Sequence, residues 1–320
     1  VHVDRFKVSE IKAGDIVSFL KSDAMRRFLP VDIRNLILDY PRTGESSLSM
    51  LDEIDLNFTA HTFNSQTMFF DNAVWRITGA GIEEVREKID THVWMNNIIS
   101  HKVKVLPPPF TITCGADGGW EVEIHPHDSH YMDYLINSSR VHWRKELEEL
   151  WDGRDQDEAA AYRSAHKFDL CGPLLDPEEI REQQLNFINK VFAVGYNLHR
   201  YKSPSRAWAV YAMDNKIGEE GQCNGRSGKS FFLLSLKQFL RTVVLSGRNP
   251  KLMDNTHVFE QINQHTDFVV VDDCNRYLDT GLFYDSITGG MTINPKNNHS
   301  FYIEFENSPK FARSEERRVG

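Results

Sequence analysis

Hydrophobic positions along this chain follow different spacings in different stretches, and those spacings predict its elements. Toward the N-terminus, short apolar clusters such as Ile16-Val17-Ser18-Phe19-Leu20 and Ile33-Arg34-Asn35-Leu36-Ile37-Leu38 sit between charged turns. They predict helices of a small domain across residues 1–60. Met68-Phe69-Phe70 and Ala73–Thr78 flank Asp71-Asn72, whose residue types tolerate positive φ, so two strands around a tight turn are expected. Pro107-Pro108-Pro109 forces extended chain, and residues 141–165, rich in Glu, Asp, Arg and Ala, read as a solvated helix and connector. Asp176-Pro177-Glu178-Glu179 is a helix start, with an Asp cap, Pro in the first turn and carboxylates at the positive end of the dipole. Leu185, Ile188, Phe192 and Tyr196 then form one apolar stripe. Beyond Lys202-Ser203-Pro204-Ser205, Ala207–Met213 reads as a buried strand, Phe231–Val244 as a helical run and Phe301–Glu306 as an alternating strand.

Composition narrows the class. With 320 residues, 40% hydrophobic and 26% charged, the chain can bury a sizeable core, which excludes disordered, collagenous and small disulfide-stapled proteins. The expected division is an accessory region over 1–130, a helical connector over 131–200, an α/β core over 201–312 and a charged tail over 313–320 that belongs to no strand. A net charge of -9 excludes a general basic surface, so contact with nucleic acid has to be local. The longest apolar run, Phe231 to Leu245, is broken by Lys237, Gln238 and Arg241, short of the about 18 apolar residues that would span a bilayer. No membrane association is expected. The N-terminus has no apolar signal core and no initiator Met, and reads as the start of a fragment. Cys114, Cys171, Cys223 and Cys274 are widely spaced with no Cys-x-x-Cys pair, which fits a reducing cytoplasm.

The chemistry concentrates in the C-terminal third. Gly221-Gln222-Cys223-Asn224-Gly225-Arg226-Ser227-Gly228-Lys229-Ser230 lies between the Ala207 strand and the Phe231 run. A Gly-rich loop opening a helix turns several N–H groups toward one point, which suits a triphosphate. Asn224, Gly225, Arg226, Ser227 and Gly228 would cradle the phosphates, Lys229 would reach the β and γ groups, and Ser230 would place its hydroxyl on Mg²⁺. The loop departs from G-x-x-x-x-G-K-[ST] at Cys223, where the pattern has Gly, although Gly221 and Gly225 flank that position. Downstream, Asp267-Phe268-Val269-Val270-Val271-Asp272-Asp273-Cys274 reads as a strand buried on both faces with carboxylates at its carboxyl end, where α/β sheets bind ligands. Asp272 would join the Mg²⁺ shell, and Asp273 would orient or deprotonate an attacking water. Asn294-Pro295-Lys296-Asn297-Asn298-His299 reads as the turn of a β-hairpin with Lys296 near its tip, a site for a phosphate backbone or an ordinary exposed loop.

The order of the Gly-Lys-Ser loop, Val-Val-Val-Asp-Asp, Ile287-Thr288-Gly289-Gly290, Asn-Pro-Lys and Pro309-Lys310-Phe311 resembles the superfamily 3 helicase module of phage, plasmid and poxvirus-type primase-helicase replication proteins. The likeness spans residues 175–312; Phe69–Asn72 with Trp75–Thr78 is similar to the accessory region of such proteins. It implies an AAA+-like P-loop ATPase of α/β fold that uses ATP and Mg²⁺, assembles as a homo-hexamer, translocates on DNA and is often fused to an upstream primase. It also implies a strand after Pro-Lys-Phe that ends in a γ-phosphate-sensing Asn. Here Arg313-Ser314-Glu315-Glu316-Arg317-Arg318 follows Ala312 and is expected not to form that strand.

The expected function is ATP-dependent DNA unwinding in replication, with Lys229, Asp272 and Asp273 catalytic and Lys296 on DNA. Two rivals are a P-loop ATPase that remodels protein and a non-catalytic docking fragment. His125, His127 and His130 read as a solvated loop, and Trp75, Trp94 and Trp120 as core. Lys102 and Lys104 form a small basic patch.

Overall fold

The computed structural model describes residues 1–39, 53–87, 89–116, 118–213, 228–249, 252, 257–274, 281–296 and 298–315. It divides into two compact units, Val1–Val105 and Leu106–Gly320.

In the first unit β1 (His2–Asp4) and β2 (Lys7–Ser9) pair antiparallel, and helices α1 (Ala13–Arg26) and α2 (Val31–Asp39) follow. The helices agree with the apolar clusters of residues 1–60, whereas the β1–β2 pair was not legible because three-residue strands carry too little alternation to register. An antiparallel meander follows: β3 (His61–Thr62), β4 (Ser65–Phe69), β5 (Val74–Thr78) and β6 (Gly81–Glu84). β4 and β5 are the pair expected around Asp71-Asn72. The Asn72 amide accepts from Val103 N–H at 2.8 Å and donates to Val103 O at 2.9 Å, so the turn also ties down a later segment. β7 (Val93–Trp94) adds parallel to β2, and Phe69, Val74 and Val93 form the small core with Phe6 stacked on Phe69.

The second unit opens with a hairpin, β8 (Phe110–Cys114) and β9 (Trp120–Ile124), and continues through α3 (His130–Ser139), α4 (Trp143–Leu147), α5 (Gln156–Ala165) and α6 (Pro177–Leu198). Then come β10 (Ala209–Met213), α7 (Lys229–Leu234), β11 (Thr242–Ser246), β12 (Phe268–Cys274), α8 (Gly281–Thr288), β13 (Met291–Ile293), β14 (Phe301–Ile303) and β15 (Lys310–Glu315). Four strands make one parallel sheet in the order β10-β15-β12-β11. Period-two alternation in β12 sends Phe268 and Val270 to one face and Val269 and Val271 to the other. The first face packs on Ile136, Phe187, Leu233 and Leu236, and the second on Ile262, Phe283, Met291 and Ile293. The protein is therefore mixed α/β, with a parallel sheet at the centre of its larger unit.

Several expectations change. Residues 106–200 share a core with the sheet, and the compact units part at 105/106. The Phe231–Val244 run is helical only to Leu234, tightens into a 3₁₀ turn over Ser235–Gln238, and becomes strand β11 at Thr242. The β-branched Thr242-Val243-Val244 find a ladder partner in β12, which outweighs the helical spacing. β10 is half-buried because it lies at the sheet edge, and Trp208 and Met213 are exposed. On α6 the Asp176–Glu179 capping box forms as read, but the stripe is displaced: Phe192 is exposed, while Gln183, Gln184 and Phe187 face inward. Gln183 is satisfied there, donating to Leu170 O at 3.0 Å and accepting from His142 N–H at 3.2 Å. Trp120, expected in the core, is 48% exposed on β9.

The tail expectation changes for Arg313, Ser314 and Glu315, while residues 316–320 lie outside the described residues. β15 runs to Glu315 between β10 and β12, and Arg313 and Ser314 are buried within it. A strand flanked on both sides accepts an arginine because its guanidinium lies over the Tyr211 ring at 4.7 Å and pairs with Glu315.

Candidate functional site

The site lies at the carboxyl ends of the parallel strands. Gly228 caps α7 in the left-handed region, with φ of +81°. The Tyr134 hydroxyl, from α3, donates to Gly228 O at 2.8 Å, and a Cβ at position 228 would come within 2.9 Å of that ring. Glycine is therefore demanded twice, by φ and by the tyrosine. Burial, with Tyr131 a lesser cause, pushes the Tyr134 phenol up to about 12, so it stays a donor. Tyr134 also meets Phe231 edge-on at 4.7 Å, which fixes the first turn of α7 against α3.

Lys229 and Ser230 open α7 and are half-buried. The Ser230 hydroxyl, on α7, donates to Asp272 Oδ1, on β12, at 2.8 Å. Ser314 on β15 donates to the same oxygen at 2.6 Å and accepts from Asp273 N–H at 2.7 Å. Asp273 adopts φ of +58°, where the register of β12 against β15 shifts between Val271 and Cys274. That twist turns adjacent carboxylates apart. Asp272 faces Ser230, while Asp273 Oδ2 meets Arg248 Nη2 at 2.5 Å. Arg248 is set by the turn after β11, where Gly247 N–H donates to Asp272 O at 2.8 Å and a Cβ on Gly247 would come within 2.5 Å of Cys274 Cα. Cys274 itself is unreactive, since burial pushes its thiol up to about 11.

Of the residues singled out in the sequence, Gly228, Lys229, Ser230, Asp272 and Asp273 converge here. Asn224, Gly225, Arg226 and Ser227 lie outside the described residues. Lys296 stands apart, exposed in the turn of the antiparallel β13–β14 hairpin. Tyr134, Arg248 and Ser314 carried no local signal; each enters the site only through tertiary packing.

Ser230 and Asp272 supply hard oxygen donors of the type Mg²⁺ prefers. No cluster of three or more His, Cys, Asp or Glu side chains occurs among the described residues. A cation at this place would complete its shell with phosphate oxygens or water, as Mg²⁺ ordinarily does. No described helix is long and apolar enough to cross a membrane.

Comparison with protein-family models and with curated proteins finds no match. Among solved structures, the A form apo structure of the NrS-1 C-terminal region aligns with 83% of this chain at 12% identity and a TM-score of 0.28. The alignment spans 58% of that chain, and a likeness this slight bears on neither fold nor function.

Proposed function

We propose that this chain carries a P-loop NTPase core of the AAA+ type that hydrolyses ATP and couples hydrolysis to movement on DNA. The observation that carries the reading is the Ser230–Asp272 hydrogen bond of 2.8 Å, which joins the first residues of the Gly-Lys-Ser helix to the acidic strand. Two stretches far apart in sequence thereby meet at the carboxyl ends of parallel strands, the usual ligand position in open α/β sheets. The strand order is compatible with it too, because β15 separates β10, which precedes the Gly-Lys-Ser segment in the chain, from β12, which carries the carboxylates.

On this reading Lys229 meets the terminal phosphates, and Ser230 and Asp272 are the residues that would hold Mg²⁺. The metal would neutralise charge that builds on the phosphates. Asp273 orients the attacking water and accepts its proton, which requires it to leave Arg248. DNA as the partner, the homo-hexameric ring and an upstream primase rest on the sequence resemblance, with Lys296 as the proposed DNA contact.

The test is ATP turnover by this chain, with and without single-stranded or forked DNA. Turnover that DNA stimulates supports the reading. Turnover indifferent to DNA but raised by a protein client would favour the remodelling ATPase, and no turnover with no ATP binding would overturn the assignment.

A further inference from the structure

At the other end of the same sheet, two arginines converge on one carboxylate and two buried lysines lie close by. Asp267 directly precedes β12, Arg241 directly precedes β11, Lys310 opens β15, and Arg200 and Lys202 follow α6. Asp267 is saturated: its Oδ2 accepts from Arg241 Nε and from the Arg241 backbone N–H, each at 2.9 Å. Its Oδ1 accepts from Arg241 Nη2 at 2.9 Å and is paired with Arg200. The lysines beneath have neutral partners only in these bonds. Lys310 Nζ donates to Tyr196 O and His199 O, both at 2.5 Å, and lies over the Tyr196 ring. Lys202 Nζ donates to Ser308 Oγ at 2.6 Å and lies over the Phe305 ring.

Glu306, an exposed residue, favours the charged form of Lys202, while burial first, then Arg241 and Arg200, disfavour the protonated form of His265. Lys202 and Lys310 are 7% and 4% exposed, where an uncompensated ammonium is costly. Arg241 Nη1 is buried with no hydrogen-bond partner. A buried guanidinium nitrogen left over after Asp267 is fully used is an unmet demand for an acceptor. Arg200 and Arg241 retain partial exposure, 25% and 38% of their side chains, so an acceptor can arrive from solvent beside them.

We propose that Arg200, Arg241 and His265 form an oxyanion site that takes a phosphate group, separate from the Gly-Lys-Ser loop. It stands at the opposite end of β12 from Asp272, about 16 Å away for five residues at about 3.3 Å per residue. Two guanidinium forks suit phosphate, and the two lysines behind them add attraction without direct contact. The phosphate belongs to a nucleic-acid backbone or to a free phosphate. A concentrated cluster of this kind is how a chain of net charge -9 holds a polyanion without a basic surface. The inference is independent of ATP hydrolysis.

His265 is the reporter, because it is exposed and borders the cluster. Its imidazole resonances, assigned by loss in His265→Ala, would be followed by NMR in the whole chain carrying Lys229→Ala, which weakens the other phosphate site. One arm adds inorganic pyrophosphate and the other a twenty-nucleotide oligo(dT) at two salt concentrations. Saturable His265 shifts with either probe, together with a rise in its titration midpoint, support the site. Saturation by oligo(dT) with strong salt dependence identifies the backbone as source, and saturation by pyrophosphate alone identifies a free phosphate. Arg200→Gln should weaken binding about tenfold, as expected for loss of one charge-assisted hydrogen bond. Arg241 variants are avoided because they would strand Asp267. No His265 response to either probe, or an unchanged response in a folded Arg200→Gln protein, overturns the proposal.

Discussion

Replacing Lys310 with Met should remove a pH dependence of stability that the fold builds in. Lys310 is 4% exposed, and burial, followed by the nearby Lys202 and Arg200, pushes its ammonium down from 10.5 to about 7. The unfolded chain keeps the proton that the folded chain tends to release, so between about 7 and 10.5 the unfolded state binds more protons and stability rises with pH. The cost of burying the charge is greatest below the folded value and fades as pH approaches 10.5. Linkage puts that cost at about 4 kcal/mol at pH 7 and about 2 kcal/mol at pH 9, a gain of about 2 kcal/mol across the interval. With a urea slope of about 2 kcal/mol/M, the denaturation midpoint should rise by about 1 M. Urea unfolding of the wild-type chain and of Lys310→Met at both pH values is the assay. The Met variant should lose most of the rise and keep a smaller one from Lys202, whose ammonium burial pushes down to about 8. At pH 7 it also forgoes hydrogen bonds to Tyr196 O and His199 O, which offsets part of the relief. A wild-type midpoint that is flat or falls from pH 7 to 9, or a Met variant with an undiminished rise, would refute the reasoning.

Further outcomes are expected at the proposed nucleotide site. Lys229→Ala should lower ATP turnover by at least about 10²-fold, and near-normal turnover would sink the ATPase reading. Asp272→Asn should weaken Mg²⁺-dependent nucleotide binding, because the carboxylate facing Ser230 is lost, whereas Asp273→Asn should leave binding intact and stop hydrolysis. Titrations in which both variants lose binding equally would show that the two carboxylates do not divide the work. Lys296→Ala should preserve basal hydrolysis and abolish DNA stimulation, and unwinding at the wild-type rate would place the grip elsewhere, the Arg200–Arg241 cluster being the first alternative. Gly228→Ala should destabilise the fold by about 1–2 kcal/mol in thermal unfolding, since any side chain there is strained at φ of +81° and presses on Tyr134.

Much of the site was legible because its parts are local. Gly228-Lys229-Ser230 and Val269-Val270-Val271-Asp272-Asp273 each announce a loop-to-helix start and a buried strand within a few residues. The Asp176 capping box and the β4–β5 pair were legible for the same reason, as cap and turn chemistry depend on neighbours in sequence. The run Phe231–Val244 was misread because apolar residues in a short window satisfy both helical and strand spacing, and only the ladder with β12 decides between them.

The sequence by itself determined the chemistry on offer: an α/β pattern, a glycine-rich segment opening a helix, paired carboxylates and a chain too acidic for a general polyanion surface. Tertiary structure alone decided who meets whom. It brought Ser230 to Asp272, turned Asp273 to Arg248, set Tyr134 against Gly228, paired Arg200 and Arg241 with Asp267 and put Lys310 near Lys202 and Arg200. The physical reason is the parallel sheet. Its strands align N-terminal ends with N-terminal ends and carboxyl ends with carboxyl ends, so residues scattered from 200 to 310 share a single edge, and no spacing along the chain encodes that meeting.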